Sequence, residues 1–385
     1  MEFRRAPVEN VDVTPLDVIR GRSVLVTGHT GFKGSWLCLA LHRLGAIVHG
    51  LSLPPPTQPN HYELARIAAL LRTEMLGDVR DAATVRQALQ RANPDLVLHL
   101  AAQPIVRQGY EFPEETFATN ILGTLHILEA VRQRRTPCVL LIVTSDKVYE
   151  PGKDVPSHRE DDPLGGHDPY AASKAAAELV VQAYRRSFFP PEKLAFHGVK
   201  LASARAGNVI GGGDWAQDRI VPDSIRALTQ NRPIIVRNPR AIRPWQHITD
   251  VVHAYLTLVA TMCASDEPER FSAWNFGPPD GKDVRVADLV AEICAVWGQG
   301  SWMTEALADV PFEAPVLRLD SHKATSRLGV RTYFEPRQAI ELTVRWYRAW
   351  HEGMDDMQGV SIRDLEAHDR ARLHGGPTSS EVQGE

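Results

Sequence analysis

The stretch from Ser23 to Gly34 reads Ser-Val-Leu-Val-Thr-Gly-His-Thr-Gly-Phe-Lys-Gly. Its first five residues form an apolar run that is typical of a buried parallel strand, and Gly34 to Leu44 follows as a predicted helix. Between them, Gly28, Gly31 and Gly34 recur at three-residue spacing. Glycines at a strand-to-helix turn let backbone N–H groups approach a pyrophosphate at the helix N-terminus. The stretch therefore predicts the start of a dinucleotide-binding fold.

Outward from this turn, apolar runs alternate with amphipathic segments. Such alternation predicts an α/β protein, a doubly wound parallel sheet of the Rossmann type. The predicted strands are Ser23–Thr27, Ala46–Ser52, Met75–Asp78, Leu96–Leu100, Cys138–Thr144, Val199–Ala206 and, at the edge, Trp274–Phe276. Later predicted helices are Ala82–Arg91, a long helix Glu114–Arg132, and Tyr170–Arg186.

The same pattern divides the chain into four predicted parts. An N-terminal extension (1–20) precedes a dinucleotide-binding Rossmann domain (21–207). A smaller, mainly helical substrate-binding lobe (208–355) follows, from which the strand at 274–276 returns to the sheet. We expect the lobe over the carboxyl ends of the strands, where open α/β sheets bind ligands. The C-terminal tail (356–385) is predicted to be partly disordered because its end is rich in Gly, Pro, Ser and Glu.

Composition excludes several classes of function. The 385 residues are 43% hydrophobic and carry a net charge of −4, without a basic stripe, so a nucleic-acid partner is not expected. The sequence contains no run of about 18 apolar residues, so a membrane span is not predicted. The N-terminus also lacks the apolar run of a signal peptide. The four cysteines are scattered without metal-ligand spacing, which favours a reducing cytoplasm and no metal site.

The second strand indicates which dinucleotide is bound. It ends around Ser52 without the carboxylate that usually binds the adenosine ribose, and 53–60 contains no Arg or Lys for a 2′-phosphate. This pattern favours NAD over NADP and predicts that the protein binds NAD weakly. Asp78 is a candidate acceptor for the adenine amino group or, equally, a cap for the next helix. His29 and Lys33 add positive charge beside the phosphates, although Lys33 alternatively faces solvent.

Tyr170 and Lys174 form a candidate catalytic pair. Their i, i+4 spacing near the start of a helix places both side chains on one face. A lysine ammonium and a positively charged nicotinamide both favour the phenolate, which lowers the tyrosine pKa from about 10. Ser145, directly after the fifth strand, is placed to hydrogen-bond the same substrate hydroxyl. A Tyr-x-x-x-Lys alone occurs often on surface helices, but this one follows both a strand-end serine and a nucleotide loop.

At these residues the chain resembles the extended short-chain dehydrogenase/reductase family, over roughly residues 20 to 350. Shorter segments that fit are 77–81, 98–104 and 119–124. Three longer strings, 28–37, 207–219 and 243–247, resemble the 4,6-dehydratases of this family that act on CDP-glucose. The resemblance implies a homodimer that shares the helices near Glu114 and Tyr170. It also implies further cofactor contacts at Phe32, Val79, Ala101, Ala102, Gln103 and Thr144.

The implied reaction has four parts at one site. Tyr170 takes the proton of the glucose C4 hydroxyl while hydride passes from C4 to NAD. A base then removes the C5 proton, an acid protonates the C6 hydroxyl, and the hydride returns to C6. Relatives place a Ser/Thr-Asp-Glu triplet after the fifth strand, where this chain has Ser145, Asp146 and Lys147. Asp146 fits the acid if its pKa is raised. Lys147 is interpreted as base or proton shuttle rather than as a mere partner of Asp146.

The expected substrate is a nucleotide sugar, whose diphosphate needs arginines in the smaller lobe. Arg219 and Arg243 are the candidates, with Asn208 as a neutral donor. The other predicted pocket residues are Gln103, Arg107, Trp245 and His247, of which Trp245 is alternatively a core residue. Two other functions compete. One is an NAD-dependent sugar-nucleotide 4-epimerase, and the other is a non-catalytic dinucleotide-sensing protein, which typically loses the Tyr or Lys present here.

Overall fold

The central feature is a sheet of parallel strands. In the computed structural model, which describes residues 15–152, 157–278, 284–304 and 318–374, its strands are β1 Ser23–Thr27, β2 Ile47–Ser52, β3 Thr73–Leu76, β4 Leu96–His99, β5 Cys138–Val143, β6 Val199–Ala206 and β11 Ala273–Phe276. They run in the order β3-β2-β1-β4-β5-β6-β11, all paired in parallel. The predicted doubly wound sheet is confirmed, with the last strand at its edge.

Helices cover both faces of the sheet. The α-helices of the described residues are α1 Phe32–Arg43, α2 His61–Leu64, α3 Ala82–Ala92, α4 Val106–Glu111, α5 Pro113–Phe117, α6 Gly123–Arg134, α7 Pro169–Ser187, α8 Leu194–His197, α9 Ile220–Thr229, α10 Ile248–Ala264, α11 Val286–Trp297, α12 His322–Leu328, α13 Pro336–His351 and α14 Met357–Leu373. Leu140 and Ile142 of β5 pack with α3, α6 and α7, whereas Leu141 and Val143 pack with α1 and α10. Both faces are thus buried, which explains the unbroken apolar run of β5.

The predicted long helix 114–132 is wrong in one respect, because it is interrupted. Helix α5 passes into a π-helical turn, Ala118–Leu122, before α6 begins at Gly123. The turn presents the buried side chain of Asn120, whose oxygen accepts from the backbone N–H of Gln103 at 2.9 Å. Its amide donates to the hydroxyl of Ser173 at 2.8 Å. The interruption therefore joins the loop after β4 to helix α7.

Short strand pairs build the smaller lobe. They join β7 Val209–Ile210 with β10 Gln246–His247, β9 Ile242–Arg243 with β12 Val284–Arg285, and β8 Ile234–Val236 with β13 Trp302–Thr304. Helices α9 and α11 pack together and against β8. The domain boundary at 207 stays a prediction.

The chain beyond residue 356 is more ordered than its composition indicates. Residues 357–373 form α14, which packs on α10 and α13, whereas 375–385 lie outside the described residues. His61 Nε2 lies 3.0 Å from the hydroxyl of Ser361, and the Gln358 amide donates to the carbonyl of Ala65 at 2.7 Å. Helix α14 thereby holds the segment after β2. Across the described residues, none of the helices is long and apolar enough to cross a membrane.

Candidate active site

The turn after β1 is closely packed. Gly28 has a φ of 74°, and a Cβ there would lie 2.7 Å from the backbone nitrogen of Ala101. A Cβ at Gly34 would collide with the carbonyl oxygen of Gly28, so only glycine fits at either position. In the part of the chain described, no side chain caps the start of α1 at Gly31. The first N–H groups of α1 therefore remain for an anion, and this cradle fits the pyrophosphate of NAD.

His29 does not add charge to this cradle, contrary to the prediction. Its ring is fully buried against Gly50 of β2, and Nε2 lies 2.7 Å from a carboxylate oxygen of Glu74 on β3. Burial lowers the pKa of His29, even though Glu74 opposes the shift. The imidazole therefore packs between β2 and β3. The predicted role of His29 as a cation beside the phosphates is wrong.

Lys33 does point toward the ligand side. It lines a cavity of about 320 Å³ together with Asp146 and Asp214, so the solvent-facing alternative is wrong. Burial lowers the pKa of Lys33 to about 8, and the neighbouring Arg219 lowers it further, while Asp146 and Asp214 oppose the shift. The Lys33 ammonium therefore stays mostly charged at neutral pH, and it lines the cavity next to the carboxyl of Asp146.

Hydroxyl groups stand at the end of β2. The Ser52 hydroxyl donates to that of Thr30 at 2.8 Å, because Thr30 itself donates to the carbonyl of Leu53. Asp78, after β3, accepts from both the backbone and the side chain of Arg80. Although partial burial alone would raise it, these bonds hold the pKa of Asp78 below its ordinary value. Asp81, not Asp78, caps α3, so the capping alternative is wrong and the adenine contact stays a prediction.

The loop after β4 reaches the cofactor turn through its backbone. Ala101 contacts Gly28, with Ala102 next in the chain, and the buried Val79 contacts Gly123 of α6. The Gln103 amide donates to the Thr116 hydroxyl at 2.7 Å, and its oxygen accepts from the N–H of Ile105. Both polar ends of Gln103 are thus engaged locally. The structure does not bring this side chain to the cavity, contrary to its predicted substrate contact.

The predicted catalytic trio does assemble. Tyr170 stands in the first turn of α7, whose start is capped by Asp168, and it lines the cavity together with Ser145 at the end of β5. Lys174, one turn further, donates to the carbonyl of Val143 at 3.4 Å. Burial lowers the pKa of Lys174 to about 8.

The protein's own groups do not lower the pKa of Tyr170, whereas the prediction combines Lys174 with the charge of the nicotinamide ring. Burial raises the pKa of Tyr170 to about 12, and the nearby hydroxyl of Ser145 opposes that shift only in part. Lys174, which donates to the strand carbonyl of Val143, does not offset the effect of burial on the phenol. Ionisation of Tyr170 therefore requires additional positive charge, which the nicotinamide ring of NAD carries.

Asp146 is suited to hold a proton. It is buried, and one oxygen accepts from the Ser145 hydroxyl at 2.9 Å. The other oxygen has no hydrogen-bond partner among the residues that the structure describes. Burial raises the pKa of Asp146, although Lys147, Lys33 and Arg243 oppose the shift. The lysine beside it therefore does not cancel the effect of burial. Lys147 itself lines the cavity next to Asp146.

A buried ionic network behind β5 escaped the sequence analysis. Both Glu178 of α7 and Arg205 of β6 are fully buried and form an ion pair of 2.9 Å. Glu178 also accepts from the hydroxyls of Thr144 and Ser203, at 2.6 and 2.9 Å. Arg205 further donates to the Tyr149 hydroxyl. Thr144, predicted as a cofactor contact, thus also ties β5 to the helix that carries Tyr170. No motif indicated this, because the partners lie on three separate elements.

The predicted substrate arginines reach the cavity, but with carboxylate partners that were not foreseen. Arg219 donates to Asp214 at 2.8 Å. One oxygen of Asp218 lies 3.3 Å from Arg107 and 2.8 Å from Arg237, so a single carboxylate joins the loop after β4 to the lobe. Arg243 is buried on β9, and with Asn208 it lines the cavity.

His247 and Trp245 have different places. His247 is fully buried, caps α10 through Thr249, and packs edge-on against Trp36 and Phe334. Burial lowers the pKa of His247 to about 3. Its predicted role in the pocket is therefore wrong, and it is a core residue. Trp245 is buried and lines the cavity, so it serves both packing and pocket.

Comparison with known proteins identifies the class. Residues 24–275 match the NAD dependent epimerase/dehydratase family. The chain belongs to this family, as its resemblance to extended short-chain dehydrogenases/reductases predicts, and its cofactor is NAD.

Individual relatives include dehydratases and an epimerase. The chain is 44% identical over 348 residues to the CDP-glucose 4,6-dehydratase of Salmonella typhimurium, covering 90% of this chain and 96% of that protein. It is 27% identical over 301 residues to a dTDP-glucose 4,6-dehydratase of Xanthomonas campestris pv. campestris, covering 73% and 81%. The UDP-glucose 4-epimerase of Thermus thermophilus, solved with NAD, superimposes with a TM-score of 0.71 at 25% identity, covering 84% and 98%.

Proposed function

We propose that this chain is a nucleotide-sugar 4,6-dehydratase that converts CDP-glucose to the 4-keto-6-deoxy sugar. The observation that carries the proposal is the buried carboxyl of Asp146 beside Ser145 and Tyr170. A 4-epimerase uses the same serine, tyrosine and lysine but has no need for an acid that retains its proton. The 44% identity to a CDP-glucose 4,6-dehydratase over 90% of the chain supports the same conclusion.

Oxidation at C4 is assigned to the trio at the end of β5. Bound NAD supplies the hydride acceptor for C4 and afterwards the hydride donor for C6. Tyr170 accepts the proton of the C4 hydroxyl, and Ser145 orients that hydroxyl by a hydrogen bond. Tyr170 must accept this proton as the phenolate, whose negative charge is favoured by Lys174, held by the carbonyl of Val143, together with the positive nicotinamide ring.

Elimination is assigned to Asp146 and Lys147, which follow Ser145 in the chain. Asp146 donates a proton to the C6 hydroxyl, which leaves as water, because burial raises the pKa of this carboxyl and so favours its protonated form. Lys147 removes the C5 proton, which the new 4-ketone has acidified. Both residues line one cavity with Tyr170, so one bound sugar can meet all three without leaving the site.

Isotope transfer tests the reaction class. With substrate deuterated at C4, we expect the product to carry deuterium at C6 and one solvent proton at C5, without net NADH in solution. Label returned to C4 with inverted configuration would instead identify a 4-epimerase. Labelled NADH accumulating in proportion to product would identify a simple dehydrogenase. No turnover of any nucleotide sugar, with NAD still bound, would support a dinucleotide-sensing protein.

The nucleotide is tested separately. We expect CDP-glucose to have a much larger kcat/KM than UDP-glucose or dTDP-glucose, as the relative of highest identity above indicates. Comparable kcat/KM values for all three would contradict the CDP assignment while leaving the dehydratase reaction intact.

We also propose that two copies associate through the helices α5 to α7. Four large apolar residues on these helices, in the π turn or directly after α7 are well exposed, namely Phe117, Leu122, Leu179 and Phe188 at 37%, 45%, 56% and 46%. A cluster of this kind is unusual for a surface that faces solvent. Sedimentation velocity should give a dimer that Leu179→Asp converts to monomer. A monomeric wild type at micromolar concentration would contradict this assembly.

A further inference from the structure

The cavity is lined by groups from both parts of the fold. Ser145 and Tyr170 lie where β5 ends and α7 begins, whereas Arg219 directly precedes α9, which packs with β8 and α11 in the smaller lobe. The part of the cavity that α9, β8 and α11 line is its far end. A nucleotide sugar has the linear order sugar, diphosphate, ribose, base. If the proposed function holds, so that the sugar lies at Tyr170 and the diphosphate at the arginines, the base falls at the far end.

The far end combines apolar walls with carboxylates, of which Asp218 is already paired with two arginines. Ile235 of β8, although 43% exposed, lines the cavity with Ala241 and Val286, which suits the faces of a pyrimidine ring. Asp223, in the first turn of α9, lines the same space and is about one-third exposed. A carboxylate oxygen without a partner in a pocket for a dianionic nucleotide is unfavourable unless it meets a hydrogen-bond donor of the ligand.

Asp223 is held in one orientation. One of its oxygens accepts from Arg226, one helical turn further along α9. The same guanidinium donates to the carbonyls of Trp215 and Ala216, at 2.9 and 3.2 Å. Arg226 is therefore anchored by the preceding loop and fixes the carboxylate that it binds. Among the residues described, the structure gives the second oxygen of Asp223 no hydrogen bond.

We propose that Asp223 selects the cytosine base by accepting a hydrogen bond from its exocyclic amino group. A carboxylate is an acceptor only, and it suits the cytosine amino group, whereas uracil and thymine present a carbonyl oxygen at that position. The same carboxylate repels that oxygen. Asp223 thus favours a CDP-sugar and disfavours a UDP- or dTDP-sugar with one group.

The test compares Asp223→Asn with wild type on CDP-glucose and UDP-glucose. An amide can rotate to present either a donor or an acceptor, so the preference for CDP-glucose in kcat/KM should fall by about tenfold or more. Isothermal titration with CDP and UDP should show the same change in the ratio of Kd values, independently of catalysis. Asp223→Glu should keep part of the preference. Asp288→Asn, which alters an exposed first-turn carboxylate on α11, is the matched control and should leave the ratio unchanged.

The outcomes separate the possibilities. Equal losses for both substrates would make Asp223 structural and overturn the proposal, as would an unchanged ratio. If Asp223→Asn fails to fold, Arg226→Lys, which retains the carboxylate but loosens its anchor, must lower the same ratio, and an unchanged ratio overturns the proposal. A wild type without preference for CDP-glucose would contradict both the role of Asp223 and the CDP assignment. A preference that survives in Asp223→Asn would contradict only the role of Asp223.

Discussion

Different kinds of interaction stabilise the two ends of the cavity. At the strand end, Tyr170 and Ser145 rest on a sheet and helix joined by the fully buried pair of Glu178 and Arg205. At the lobe end, Asp218 holds Arg107 and Arg237 through ion pairs that are about one-third exposed. Breaking a buried pair is costly, whereas exposed pairs exchange partners at little cost. In the proposed function, the catalytic groups therefore have fixed positions, whereas the diphosphate is bound by arginines that can change partners.

The largest expected effect tests the fixed end. Tyr170→Phe should lower kcat about a thousandfold, because it removes only the oxygen that accepts the C4 proton. NAD affinity, measured by fluorescence titration, should stay within about twofold of wild type, since the ring remains. Tyr110→Phe, at a 40% exposed tyrosine, is the matched control and should retain normal turnover. Substantial activity in Tyr170→Phe would remove this residue from the mechanism.

The buried pair itself comes next. Glu178→Gln should lower the free energy of unfolding by about 3 kcal/mol, because it leaves the Arg205 guanidinium buried without a counter-charge. Although burial alone would raise it, Arg205 and three hydrogen bonds hold the pKa of Glu178 below its ordinary value. The pair therefore stabilises the fold above the ordinary carboxyl pKa, and this contribution is lost as pH falls through the lowered value.

Chemical denaturation at neutral and acid pH measures this difference. The gap between wild type and Glu178→Gln should narrow as pH falls. Glu267→Gln, which breaks an exposed pair with Arg270, is the control and should cost less than about 1 kcal/mol. If the two variants are equally destabilised, the strand end is not held by its buried pair.

Lys147→Ala should separate oxidation from elimination. We expect enzyme-bound NADH to form at a near-normal rate in a single turnover, followed by dehydration slowed about a hundredfold, because the C5 proton has lost its acceptor. Stopped-flow absorbance follows the first step, and quenched-flow product analysis the second. Normal dehydration would place the base elsewhere.

The smallest effect concerns the exchangeable end. Asp218→Asn should tighten binding of CDP by about two- to threefold, because Arg107 and Arg237 then meet a diphosphate without a competing carboxylate. Titration calorimetry at two salt concentrations measures the change, which should shrink at high salt because the charges are exposed. Weaker binding would mean that Asp218 positions the arginines rather than competing for them.

The strand end was predictable because its signals are local. Apolar runs identify the strands, so Ser145 and Asp146 follow β5 as expected, and Tyr170 and Lys174 need only helical spacing to share a face. The glycine turn is equally local. The predicted ends of helices and strands differ from the observed ends by one or two residues. The π turn at Asn120 was not predicted, because its hydrogen bond is to a loop that is distant in the sequence.

Contacts between distant residues could not be read from the chain. His29 and His247 stand in motif-like strings, yet burial decides their roles, and burial depends on packing against Glu74 and Phe334. The partners of Arg107 and Arg219 lie in a loop whose path no periodicity specifies. The weak binding of NAD, the role of Lys147 as the C5 base and a cytoplasmic location stay predictions.

Helix α14 has a consequence for how the chain folds. Its contact between Ser361 and His61 closes a separation of 300 residues, and His61 stacks on Trp36 at 4.7 Å beneath the first βα unit. During synthesis the first unit emerges long before α14 does, so its packing waits for the last part of the chain. Such long-range closure slows folding and prolongs the exposure of apolar surface. Trp36 fluorescence should therefore reach its native value in a late phase of refolding, together with the docking of α14.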